Sequence, residues 1–303
     1  METRDLNLNG ILPPLTTPFD AEGNVDYEGL RRNIARYNET GLRGYVALGS
    51  NGEAVHLTAD ERQRVIETIK QSAAPDHTIV AGVNELSTRA AIHAARHVAD
   101  AGADAALVIT PYFYKSHMTS SRLIQHFTSV ADNSSIPVLL YNVPQNTGVV
   151  IDSATIAAMA EHPNIIGVKD SAGNFAAIAE TIDRAPEDFK VMTGNGGILY
   201  PSLLMNATGA ILAVACTAPR ACVELYNAAR SGDHAKAREL QNRIAPLSNI
   251  VTAGLGVAAL KAAMEMAGYL GGCPRAPLAQ LSEGDKERVR DVMRKTGLFP
   301  EME

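Results

Sequence analysis

The feature that most constrains this chain is a rhythm. Short apolar runs recur about every 25 to 35 residues, and most are followed by a segment whose apolar positions repeat at helical spacing. Eight such runs read as strands, at residues 10–15, 44–48, 78–83, 105–110, 137–141, 165–169, 190–193 and 209–213. Ala106-Leu107-Val108-Ile109 and Val138-Leu139-Leu140 are apolar on both parities, as expected of parallel strands covered on both faces. Eight successive βα units predict a (β/α)8 TIM barrel, a fold of about 250 residues, inside a chain of 303. The alternative is a doubly wound sheet. Against it, no strand is followed by the Gly-x-Gly-x-x-Gly loop of its dinucleotide-binding forms, and Gly49-Ser50-Asn51-Gly52-Glu53 has the wrong spacing.

The helices carry their own punctuation. Thr58 and Glu61 form a capping box, and Ser87 caps a helix that Gly102 stops. On that helix Ile92, Ala95, Val98 and Ala99 share the face expected to pack on the sheet. From about Ser231 the pattern changes to helices without strands, broken at Pro246, Gly254, Gly256 and Gly271-Gly272-Cys273-Pro274. The expected division is therefore a barrel over residues 1–231 that carries the active site, and a helical region over 232–303 assigned to packing or subunit contact.

Composition removes several partners. With 27 basic against 33 acidic residues, a net charge of −6 and no basic cluster, nucleic acid is not expected to bind. No stretch approaches the roughly 20 apolar residues of a membrane span, so no membrane partner is expected either. The start, Met1-Glu2-Thr3-Arg4-Asp5, has no apolar signal core, which makes the cytoplasm the expected address. Cys216, Cys222 and Cys273 are an odd number without metal-type spacing and read as reduced structural thiols. No Trp and 5% aromatic residues leave few platforms for stacking bases or sugars.

In a TIM barrel the active site lies at the carboxyl ends of the strands, so the residues closing each apolar run are the ones to weigh. Lys190 begins its strand, whereas Lys169 ends the run Ile165-Ile166-Gly167-Val168. Burial there favours the neutral amine, which is a nucleophile toward carbonyl carbon. A lysine whose stem covers apolar surface while its head reaches water fits the position equally. Tyr141 closes the preceding strand at the same level, and a phenol can give and take the protons that imine chemistry needs. A strand-end tyrosine alone more often packs; the pair is what carries the chemical reading. The loop Gly49-Ser50-Asn51-Gly52-Glu53 offers hydroxyl, amide and backbone N–H donors suited to a small carboxylate, or is an ordinary βα turn. Thr16, Thr17 and Ser171 add hydroxyls around the same centre, and Gly194-Asn195-Gly196-Gly197 reads as a tight turn, as an opening for substrate, or as a phosphate loop without a basic partner. His93 and His97 have ligand-like spacing but lie opposite the apolar stripe of their helix, a solvated face, and Gly-x-Ser-x-Gly and His-Glu-x-x-His are absent. No metal site is expected.

Thr16-Thr17-Pro18-Phe19, Gly49-Ser50-Asn51-Gly52-Glu53, Thr110-Pro111-Tyr112, Tyr141-Asn142-Val143-Pro144 with Thr147-Gly148, and Gly167-Val168-Lys169-Asp170-Ser171 together resemble the dihydrodipicolinate synthase and N-acetylneuraminate lyase family over nearly the whole chain. The resemblance implies a (β/α)8 barrel with C-terminal helices, a homotetramer built as a dimer of dimers, and a lyase without cofactor that forms a Schiff base with a pyruvate-type 2-keto acid. It implies the imine on Lys169, the proton relay through Tyr141, and the keto-acid carboxylate on Ser50 and Asn51. Where the family's synthases carry an arginine for the aldehyde's carboxylate, this sequence has Asn146, which removes a bidentate anion partner. Ser50-Asn51, Gln145-Asn146-Thr147-Gly148, Met118-Thr119-Ser120-Ser121 and the stretch from Gly268-Tyr269 through Arg275-Ala276-Pro277-Leu278 look like those of 4-hydroxy-2-oxoglutarate aldolases. The expected reaction is accordingly cleavage of 4-hydroxy-2-oxoglutarate to pyruvate and glyoxylate. The alternatives are condensation of pyruvate with aspartate semialdehyde, cleavage of a sugar acid, or a catalytically weak barrel that binds a keto acid. The last is motivated by Phe113, which stands where the family places a relay tyrosine; Tyr112 and Tyr114 are the substitutes to test.

Overall fold

The computed structural model describes residues 6–300. Eight parallel strands form one sheet in the order β1-β8-β7-β6-β5-β4-β3-β2. They are β1 Ile11–Leu12, β2 Gly44–Ala47, β3 Thr78–Val83, β4 Ala105–Ile109, β5 Val138–Asn142, β6 Ile165–Asp170, β7 Lys190–Thr193 and β8 Gly209–Ile211. The ring closes between β1 and β2 through the parallel bridge Pro14–Val46, with Leu15 N–H donating to the Val46 carbonyl at 2.9 Å. The fold is a (β/α)8 TIM barrel with a C-terminal helical extension. All eight expected strands are present; β1 is shorter than its apolar run because Pro13 and Pro14 have no N–H for the ladder.

The helices are α1 Tyr27–Tyr37, α2 Ala59–Ser72, α3 Thr88–Asp100, α4 Ser120–Asp132, α5 Pro144–Thr147, α6 Ser153–Ala160, α7 Phe175–Arg184, α8 Leu199–Leu204, α9 Pro219–Ser231, α10 His234–Asn249, α11 Gly256–Met266 and α12 Glu283–Thr296. The Thr58/Glu61 capping box opens α2, and the Ser87 hydroxyl accepts from Ala90 N–H at the start of α3. On α3 the buried face is Ala91, Ala95 and Val98, one residue displaced from expectation at its start, with Ile92 half-buried. His93 and His97 are exposed, their rings 4.6 Å apart.

Alternation along the strands divides the interior in two. Leu12, Val46, Val80, Leu107, Leu139, Met192 and Ile211 fill the barrel, while Tyr45, Ile79, Val108, Leu140, Val168 and Val191 pack outward against the helices. Such a filled interior is a core and not a pore, so chemistry is confined to its mouth. A single turn of π-helix, Ile250–Gly254, joins α10 to α11 and sits over that mouth. Cys216 and Cys222 are buried free thiols, and burial pushes Cys222 up to about 12.

Candidate active site

Parity brings the central pair together. Tyr141 and Lys169 are direct register partners on β5 and β6, and each follows an inward-facing residue two positions earlier, Leu139 and Gly167, so both side chains enter the barrel. Lys169 Nζ lies 4.2 Å from the centroid of the Tyr141 ring, and both residues are only 4% exposed. Space for this arrangement comes from Gly167: a methyl group there would meet the Lys190 carbonyl oxygen at 2.4 Å and Leu139 Cδ2 at 2.8 Å.

The phenol continues the network. Tyr141 Oη is 3.4 Å from Ser50 Oγ, which accepts from Asn146 Nδ2 at 3.3 Å. Burial by itself raises the Tyr141 pKa, but the Lys169 charge and hydrogen bonds to Ser50, Lys169 and Ser171 outweigh it, leaving the phenol below its ordinary value of 10. A phenol so poised exchanges its proton more readily than a free tyrosine.

Each partner is delivered by a local device. After β2, Leu48 and Glu53 adopt φ of 55° and 52°, left-handed conformations that are costly for non-glycine residues and concentrate at functional sites. Between them Ser50–Gly52 forms one tight turn, with Glu53 N–H donating to the Ser50 carbonyl at 3.2 Å. After β5, Pro144 opens the short helix α5 and Gly148 closes it in the left-handed conformation, which sets Gln145 and Asn146 on the rim. Gln145 Nε2 donates to the Ser171 carbonyl at 2.8 Å. Behind the pair, Asn142 Nδ2 donates to Asp170 Oδ2 at 2.6 Å, crosslinking β5 to β6, and burial raises the Asp170 pKa despite the bonds from Asn142 and Ala172 N–H.

These groups wall a cavity of about 760 Å³, within the range of small-molecule sites. Ser50, Asn51, Tyr141, Asn146, Lys169 and Ser171 all line it, and Lys169 is the one charged side chain among its lining residues. Thr16 is elsewhere: it is buried with its hydroxyl directed to Met264 Sδ at 3.3 Å, while Thr17 Oγ1 donates to the Gly52 carbonyl at 2.7 Å. Tyr112 borders an adjoining hollow that shares Ser50 and Asn146 with the cavity. Phe113 and Tyr114 are 71% and 68% exposed, edge to face on the surface.

Sequence reasoning missed part of the wall. Val251, Thr252, Ala253, Gly256 and Val257, from the π-turn and the start of α11, line the cavity with Leu278, so the helical region does more than the packing and contacts expected of it. Their apolar character gave no signal, although the Gly254/Gly256 break marked the spot. Gly194 and Asn195 line it too; Asn195 Oδ1 accepts from Gly197 N–H at 2.8 Å, which makes this loop a capped turn.

The sequence matches the Dihydrodipicolinate synthetase family over residues 7–296. A 4-hydroxy-tetrahydrodipicolinate synthase of Methanothrix thermoacetophila is 38% identical over 94% of this chain and 96% of its own length. Among solved structures, dihydrodipicolinate synthase from Acinetobacter baumannii complexed with pyruvate superposes with a TM-score of 0.91 at 34% identity, covering 96% of this chain and 99% of that one. A monomeric dihydrodipicolinate synthase variant superposes with a TM-score of 0.92 at 28% identity, covering 98% and 100%.

Proposed function

This chain belongs to the dihydrodipicolinate synthetase family of Schiff-base aldolases and lyases, and from that premise we propose that Lys169 forms an imine with a pyruvate-type 2-keto acid. The observation that carries the reading is the buried Lys169 amine against the Tyr141 ring, with Ser50 on the phenol. The amine attacks the ketone carbon, and the carbinolamine loses water as Tyr141 shuttles the proton. Ser50 and Asn51 hold the carboxylate, and Asn146 and Ser171 complete the polar wall. The protonated imine then takes up the electron pair when a carbon–carbon bond is broken; in the reverse sense it first loses a proton from its methyl carbon, and the resulting enamine supplies the pair when a bond is made.

The partner aldehyde has two readings. The name carried by the Methanothrix thermoacetophila relative, 4-hydroxy-tetrahydrodipicolinate synthase, supports condensation of pyruvate with aspartate semialdehyde. The Gln145-Asn146-Thr147-Gly148 stretch, like that of 4-hydroxy-2-oxoglutarate aldolases, supports the other reading, cleavage of 4-hydroxy-2-oxoglutarate to pyruvate and glyoxylate, with the distal carboxylate of either substrate facing neutral donors such as Asn146. Parallel kcat/KM measurements on pyruvate with aspartate semialdehyde, on 4-hydroxy-2-oxoglutarate and on a 2-keto-3-deoxy sugar acid separate them. Failure on all three, with pyruvate still bound, would leave the binding barrel. The exposed Phe113 and Tyr114 beside Leu86 support assembly into a homotetramer, which sedimentation tests.

A further inference from the structure

The mechanism leaves one buried ion pair unused. Lys261 on α11 and Glu53 after the β2 turn are each 2% exposed, and Lys261 Nζ lies 2.6 Å from Glu53 Oε1. Lys261 also donates to the Thr17 carbonyl at 2.9 Å and the Cys273 carbonyl at 2.7 Å. The other carboxylate oxygen accepts from Arg275 N–H at 2.9 Å and faces His56 Nδ1 at 3.3 Å. Burial lowers the Lys261 pKa, and the Glu53 charge opposes that shift.

A buried pair of this kind is weak evidence for stability, because desolvation offsets the attraction. What it specifies is position. Glu53 is the left-handed residue that closes the Ser50–Gly52 turn, and Thr17, whose carbonyl Lys261 holds, donates its hydroxyl to Gly52. One ammonium therefore grips the turn from both sides. We infer that Glu53, held by Lys261, is a positioning residue that aims Ser50 and Asn51 at the carboxylate of the keto acid, and so makes α11 part of the binding site. The inference rests on the Schiff-base reading above.

Loosening the turn weakens hold on the carboxylate equally before and during reaction, which is a binding effect and not a rate effect. A charge-assisted hydrogen bond misaligned in this way lowers affinity by about ten- to a hundredfold. The test is borohydride trapping of the Lys169 adduct across a pyruvate titration, read by intact mass, in wild type and in the double variant Glu53→Met/Lys261→Met. Replacing both charges together avoids the larger cost of leaving one of them buried without its partner. The expected result is a half-saturating pyruvate concentration raised about ten- to a hundredfold, with trapping at saturation near wild type and a lowered melting temperature, since the Thr17 and Cys273 carbonyls and the Arg275 N–H lose their partners. An unchanged half-saturation in the folded double variant, or a loss confined to the saturated rate, overturns the inference while leaving the Schiff base standing. Wild type that traps no pyruvate overturns both. Glu53→Gln, nearly isosteric, is judged by the same criterion if the double variant does not fold.

Discussion

Replacing Tyr141 by Phe removes one oxygen and leaves the ring under Lys169. In the structure that oxygen has Ser50 Oγ at 3.4 Å, and Lys169 and Ser171 act on it from nearby to lower its pKa. The lost hydrogen bonding costs about 1 kcal/mol of stability, so the variant stays folded. The rate effect is far larger, because a positioned acid–base group contributes about 10²- to 10⁴-fold, or roughly 3–5 kcal/mol of barrier. Exchange of the pyruvate methyl protons with D2O, followed by NMR, reads imine and enamine formation without any partner aldehyde. Tyr141→Phe is expected to slow it by at least a hundredfold. Ser50→Ala slows it too, and adding it to Tyr141→Phe costs little more, since both interrupt one relay. The pH profile carries a sign: the Tyr141 phenol ionises below 10, so wild type loses activity on a basic limb beneath that pH, and the variant has no such limb. Exchange within twofold of wild type in Tyr141→Phe would refute the relay.

Gly167→Ala drives a methyl group to 2.4 Å from the Lys190 carbonyl oxygen and 2.8 Å from Leu139; urea melts should show a loss of about 3 kcal/mol. His126 is buried, and burial lowers its pKa from 6.5 to about 4. Its neutral form is the one the fold accepts, so its stabilising contribution is complete above pH 6.5 and is lost as pH falls toward 4. Wild type should lose about 2–3 kcal/mol between pH 7 and 4.5 that His126→Gln does not lose, as measured by denaturant midpoints. Asn146→Arg restores a guanidinium at the cavity rim, and should raise kcat/KM for condensation with aspartate semialdehyde at least tenfold over wild type; an unchanged kcat/KM removes Asn146 from the binding of the aldehyde's carboxylate.

Lys169 and Tyr141 were readable because each is a polar residue ending an apolar strand of a fold whose chemistry sits at strand ends. Position along the chain does not tell which of two successive hydroxyls faces the mouth. Thr16 turned to Met264 instead, and Thr17 to the Gly52 carbonyl. Harder still was the Glu53–Lys261 pair, whose members belong to a loop and a helix far apart in sequence and have no local pattern linking them. The π-turn over the cavity was hidden for the opposite reason: Val251, Ala253 and Val257 are the residues that any packed helix would show.

Everything depends on the Lys169 amine reaching a 2-oxo group. Incubation with pyruvate and borohydride, followed by peptide mapping, should find a mass increase of about 72 Da, a reduced pyruvate imine, on Lys169 and none in Lys169→Met. A chain that turns over its substrate yet carries no adduct at Lys169, or carries it on another lysine, would contradict the account.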